Sequence, residues 1–125
     1  MNSETSIAIS VQTQYIQNEM LPEGEQYAFA YKITITNNGD ISAQLLNRYW
    51  LITDGDGKQT EVAGEGVVGQ QPHIAPADTF EYTSGAVLKT PVGSMQGYYE
   101  FIDVNGRLFK APIEVFSLSV PNKLN

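Results

Sequence analysis

The 125-residue sequence has no cysteine at all. That excludes a disulfide framework, a thiolate metal site and a cysteine nucleophile, and it is in keeping with a reducing compartment. Histidine is nearly absent too. The single His73 leaves too few parts for a His-rich transition-metal site or a Ser-His-Asp triad, so its default reading is structural or exposed. Basic residues are scarce: seven Lys and Arg against fourteen Asp and Glu give a net charge of −7. Affinity for a phosphate backbone comes largely from lysine and arginine displacing counterions, so no nucleic-acid partner is expected and the acidity reads as solubility. No stretch approaches the roughly 20 apolar residues of a membrane-spanning helix, so no membrane insertion is expected. The first residues, Met1 to Ser6, have neither the basic region nor the apolar run of a secretory signal. A cytoplasmic protein is the expectation.

Sustained helical periodicity is also missing, and alternation with period two takes its place. Ile7, Ile9, Val11 and Tyr15 oppose Ser10, Gln12 and Gln14, as a half-buried strand requires. After a break at Leu21-Pro22-Glu23-Gly24, Tyr27, Phe29, Tyr31, Ile33 and Ile35 alternate with Ala28, Ala30, Lys32, Thr34 and Thr36. Asn37-Asn38-Gly39-Asp40 marks a turn, and a third strand is expected from about Gln44 to Thr53 through Leu46, Arg48, Trp50 and Ile52. Asp54-Gly55-Asp56-Gly57 marks a hairpin with a short return over Gln59 to Val62. Further strands are expected at Thr79–Ser84 and Tyr98–Val104, the latter joined through Asn105-Gly106 to a last one that bends at Pro112. About seven short strands with a turn every 8–12 residues or so describe a single all-β domain over residues 1–125, a sandwich of two antiparallel sheets. Short flexible ends are expected at about 1–5 and 121–125.

Two aromatics stand out as structural. Trp50, the one tryptophan, sits mid-strand as a core anchor, a surface binding aromatic being the alternative. Tyr99, with Tyr98 near the start of its strand, is placed at a tyrosine corner whose phenol bonds the backbone.

The most conspicuous short pattern is Gly64-Glu65-Gly66-Val67-Val68-Gly69-Gln70-Gln71-Pro72, a Gly-x-Gly-x-x-Gly run. In a dinucleotide fold such glycines end a strand and open a helix whose amides hold the pyrophosphate. Pro72, followed by Pro76, forbids a helix here, because proline lacks the amide and pushes its predecessor towards extended geometry. The run is therefore a glycine-rich loop. Its residues Gly64, Glu65, Gly66, Gly69 and Gln71 are the candidate contact site for a ligand or partner.

The other constellations are weaker. Residues 54–65 place acids at positions 1, 3 and 12 of a calcium-type loop, but Lys58 and Gln59 occupy positions 5 and 6, where a ligand and a glycine belong. A hairpin turn explains them better. Glu61, Glu65 and Glu81 could act as general acid and base only if the fold brought them together, which their spacing does not fix. No catalytic residue, metal ligand or cofactor is assigned.

The combination of the glycine run with Gln71-Pro72, Tyr82-Thr83-Ser84-Gly85, Thr90-Pro91, Gly93, Met95, Gly97 and Arg48-Tyr49-Trp50 resembles the bacterial ApaG family, from about Ile7 to Pro121. The resemblance implies a fibronectin type III-like or immunoglobulin-like sandwich and an association with cobalt and magnesium efflux. It also implies an interaction module, since similar domains occur in F-box proteins and in a polymerase-interacting protein. The chain ends Val120-Pro121-Asn122-Lys123-Leu124-Asn125, whereas many relatives end in histidine. With no membrane segment, efflux could only be assisted, not performed. The expectation is a non-enzymatic adaptor that binds an unidentified protein partner, with a homodimer possible. The alternative is a small-ligand module in which the glycine amides form a nest for phosphate, pyrophosphate or nucleotide.

Overall fold

The structure is a computed structural model describing residues 6–121. The ends expected to be flexible lie outside these residues except for Pro121. Eight strands follow one another: β1 Ile7–Leu21, β2 Gly24–Asn37, β3 Ala43–Asp54, β4 Gln59–Glu65, β5 His73–Ile74, β6 Thr79–Leu88, β7 Val92–Asp103 and β8 Leu108–Ser119. They form one antiparallel sheet in the order β1-β2-β6 and a second in the order β4-β3-β7-β8, with β5 added to β3. β4 lies beside β3 rather than joining the sheet of β1. That differs from the immunoglobulin constant arrangement, whose fourth strand sits in the sheet of its first.

Alternation places the core where the sequence indicates. Phe29, Tyr31, Ile33 and Ile35 of β2 face Leu45, Trp50, Met95, Tyr99 and Phe101 of the other sheet, all buried. Trp50 is only 2% exposed, so it is the core anchor and not a surface aromatic. Its ring meets Tyr31, Tyr99 and Phe116 edge-on at 5.4, 6.3 and 5.8 Å between centroids, the geometry that the aromatic quadrupole favours.

Several local expectations are corrected. β6 runs on to Leu88 and β7 starts at Val92, so both are longer than the strands expected at Thr79–Ser84 and Tyr98–Val104. β3 carries a bulge between Leu45 and Asn47 that throws Leu46 out of register, so Leu45 takes the core position expected for Leu46. Tyr99 is not a tyrosine corner. It lies mid-strand opposite Arg48 and Ala111, and its phenol reaches across the sandwich to the phenol of Tyr82 at 2.5 Å, tying β7 to β6. The Asp54 turn is a hairpin, as expected. Asp54 Oδ1 accepts the amides of Asp56 and Lys58, which accounts for the acid at that position without a metal. Glu81 lies on β6 in one sheet while Glu61 and Glu65 lie on β4 in the other, so the fold does not assemble the three carboxylates.

Candidate functional site

β4 and β5 are two pieces of one interrupted edge strand. β4 pairs with β3 from Thr53 to Asn47, and β5 pairs with the same edge at Gln44 and Ala43. Residues 66–72 leave the sheet between them, opposite the bulge at Leu46. The glycine-rich run is thus an excursion from an edge strand rather than a free linker. Gly64 and Glu65 still belong to β4, and only Gly66, Gly69 and Gln71 of the candidate residues lie in the excursion itself.

The bulge supplies the anchorage. Out of register, the carbonyl of Leu46 accepts both the Gly66 amide and the Gln71 Nε2, while the Leu45 amide donates to the Pro72 carbonyl. Gln44 Nε2 donates to the Gln71 carbonyl. From the inner face, the Arg48 guanidinium donates through Nη1 to the carbonyls of Glu65 and Gly66, both at 2.9 Å. This explains Gly64: a Cβ there would lie 2.9 Å from the guanidinium, so the missing side chain is the space Arg48 occupies. Val67 is 1% exposed and plugs the core from the excursion. Burying a valine fully stabilises by about 1.5–3 kcal/mol, which adds to the hydrogen bonds that anchor the loop.

The tip is a tight reversal. Val67 and Gln70 exchange amide-to-carbonyl bonds at 2.8 and 2.9 Å, and the two residues between them, Val68 and Gly69, both have positive φ, 43° and 80°. That is the pattern of a type I′ turn, in which Asn-Gly is the favoured pair. Valine is out of place there. A β-branched residue in the left-handed region carries a cost of about 1–3 kcal/mol, and strain of this kind gathers at contact sites. Val68 is also 55% exposed, so its isopropyl group gains nothing from the core. At Gly66, with φ 63°, a Cβ would stand 2.3 Å from the Gln70 carbonyl oxygen. Its glycine serves the architecture.

The amides of Gly66, Val67 and Gln70 donate to carbonyls within the protein. Of the glycine amides that would form a phosphate nest, that of Gly66 is therefore engaged by the Leu46 carbonyl.

Beside the excursion, on the outer face of the same sheet, lies a shallow groove of about 360 Å³ bordered by Asn47, Tyr49, Gly64, Glu65, Tyr98 and Glu100. Tyr49 and Tyr98 are directly paired across β3 and β7, with rings stacked at 5.0 Å and 25°. Partial burial, then Glu61 by charge and hydrogen bonding, pushes the Tyr49 phenol upward. Sequence reasoning passed over Arg48, Tyr49 and Tyr98 as site residues. Outward-facing tyrosines on a strand carry no signal until the register places them side by side.

The largest buried polar groups elsewhere are structural. Asn37 caps the turn through Gly39 and holds the carbonyls of Ile41 and Ile74, and Asp103 Oδ1 accepts the amides of Asn105 and Arg107. Among the described residues, no group of three or more His, Asp or Glu is placed to hold a metal ion.

Comparison with known proteins agrees with this architecture. The ApaG domain family matches residues 17–103, and the chain belongs to that family. It is 54% identical to Protein ApaG of Enterobacter sp. (strain 638) over 115 residues, covering 92% of each chain. Among solved structures, a structural-genomics X-ray structure superposes with a TM-score of 0.96 at 45% identity, covering 99% of this chain and 94% of that one. A Bordetella pertussis protein described as ApaA superposes with a TM-score of 0.87 at 47% identity, covering 94% and 95%.

Proposed function

We propose that this ApaG-family chain is a non-enzymatic binding module that engages a protein partner through the tip of the glycine excursion and the sheet face beside it. The observation that carries the reading is Val68: an exposed, β-branched residue held at positive φ at the end of a rigidly anchored turn. Stability alone would favour asparagine or glycine there, and an apolar tip on a preorganised loop lowers the ordering cost of association. The module works in the cytoplasm. The family's association with cobalt and magnesium efflux is, in this reading, an indirect effect exerted through the bound partner.

Replacing Val68 by Asn tests this, because it installs the favoured Asn-Gly turn while removing the apolar tip. The variant is expected to gain about 1 kcal/mol in stability. In capture from lysate it should lose a stoichiometric partner that the parent protein retains. Retention of that partner by a stabilised Val68→Asn variant would refute the reading. If the parent captures no protein and its loop amides instead shift saturably with pyrophosphate or nucleotide, the phosphate-nest alternative takes its place.

A further inference from the structure

We infer that the outer face of the β4-β3-β7-β8 sheet is a cation-accepting shelf, built from stacked Tyr49 and Tyr98 between Glu61, Glu65 and Glu100, that takes the arginine or lysine side chains of a basic segment in a partner protein. The inference rests on the reading of the chain as a binding module, and it names the chemistry of the partner.

Strand register puts the parts together. Asn47, Tyr49 and Leu51 of β3 lie between Glu65, Ala63 and Glu61 of β4 and Glu100, Tyr98 and Gln96 of β7, pair by pair. Two stacked phenol rings therefore have carboxylates on both flanks, Glu61 and Glu65 on one side and Glu100 on the other. An aromatic face attracts a cation through its quadrupole, and nearby carboxylates add Coulombic attraction and hydrogen-bond acceptors for a guanidinium. The whole chain, at −7, favours approach of a basic partner over an acidic one.

One cation is already seated there. Lys110, opposite Glu100 on β8, places its Nζ 4.5 Å from the centroid of the Tyr98 ring. The ring accepts an ammonium from within the chain, and the long lysine stem can swing aside when a better-placed guanidinium arrives. Lys110 is thus a resident competitor. Among the described residues, the middle of the other sheet's outer face has no paired tyrosines. That face around Lys32, Thr34 and Glu81 is polar, and Lys32 and Glu81 pair with each other at 3.6 Å.

The test uses a labelled short peptide of alternating arginine and glycine, with the full chain titrated in a fluorescence anisotropy assay. Tyr98→Leu keeps the net charge and is expected to weaken binding about tenfold, while Tyr98→Phe, which keeps the ring, binds as the parent does. Tyr49→Leu supplies the same comparison should Tyr98→Leu fold poorly. Glu61→Gln and Glu65→Gln are expected to weaken binding several-fold, and Lys110→Gln to strengthen it, since it frees the ring and removes a like charge. Glu81→Gln makes the same charge change on the opposite sheet and is expected to leave binding unaltered.

Equal weakening by Glu81→Gln and Glu61→Gln, or full binding by both tyrosine-to-leucine variants, would reduce the interaction to diffuse charge and overturn the shelf. A dimer of the parent chain that Tyr98→Leu dissolves would assign the face to a second copy and also overturn it. Peptide binding without any Val68-dependent partner leaves the shelf standing while the loop reading falls. A Val68-dependent partner without peptide binding does the reverse.

Discussion

At the scale of single residues, the glycine run divides into positions with different physical duties. Gly64 makes room for the Arg48 guanidinium, Gly66 combines positive φ with close approach to the Gln70 carbonyl, and Gly69 holds one half of a turn with open space around it. Alanine at these positions should therefore not behave uniformly. Gly66→Ala puts a methyl carbon 2.3 Å from a backbone oxygen, which cannot move without breaking the Val67–Gln70 pair. It is expected to destabilise by about 2 kcal/mol or more, in excess of the roughly 1 kcal/mol at most that alanine gains at a compatible glycine site. Denaturant midpoints for Gly66→Ala and the parent check this, and an unchanged midpoint would contradict the close approach.

At the scale of elements, the periodic strands were legible and the interruptions were not. β2 could be read residue by residue because Phe29, Tyr31, Ile33 and Ile35 alternate without a break. In β3 the bulge exchanges Leu45 for Leu46 at the core, and nothing local distinguishes two adjacent leucines; the partner strand decides. The same bulge created the site, since the freed Leu46 carbonyl is what anchors the excursion. Prolines showed that no helix follows the glycines, but not that β5 returns to the edge β4 had left, because a two-residue strand has no periodicity to detect. The sequence marks Tyr99 as structural but not its partner, because the Tyr82 contact spans two sheets and is not encoded in either strand alone.

That contact between β6 and β7 carries a pH signature. Burial pushes the Tyr82 phenol up to about 12, against a smaller lowering by its hydrogen bond to Tyr99, and burial likewise pushes Tyr99 upward with the Tyr82 charge adding to it. The folded state thus favours the protonated phenols over the unfolded chain, whose tyrosines titrate near 10. Their contribution is fully present below about pH 10 and is lost as pH rises towards 12. Stability measured by denaturant is expected to fall in that window. Tyr82→Phe should be less stable than the parent at pH 8 by about 1–3 kcal/mol, because Tyr99 loses its buried partner, but should fall less steeply above pH 10. Parallel pH profiles for the two proteins would contradict the role of the pair.

At the scale of the whole molecule, one rigid sandwich presents two unlike outer faces. The β1-β2-β6 face is lined by small and polar residues such as Ala28, Ala30, Lys32, Thr34 and Thr36. The opposite sheet combines a strained apolar turn tip with an aromatic and acidic groove at its root. Placing recognition on the second face explains why the chain maintains a left-handed valine and an outward tyrosine stack that the core does not need. The most direct measurement is amide chemical-shift mapping of the isotopically labelled chain as the captured partner, or a peptide from it, is titrated in. Perturbations centred on residues 66–71 and running onto Tyr49, Tyr98 and Glu100 are the expected result. Perturbations confined to β1, β2 and β6, with residues 66–71 unmoved, would contradict the account.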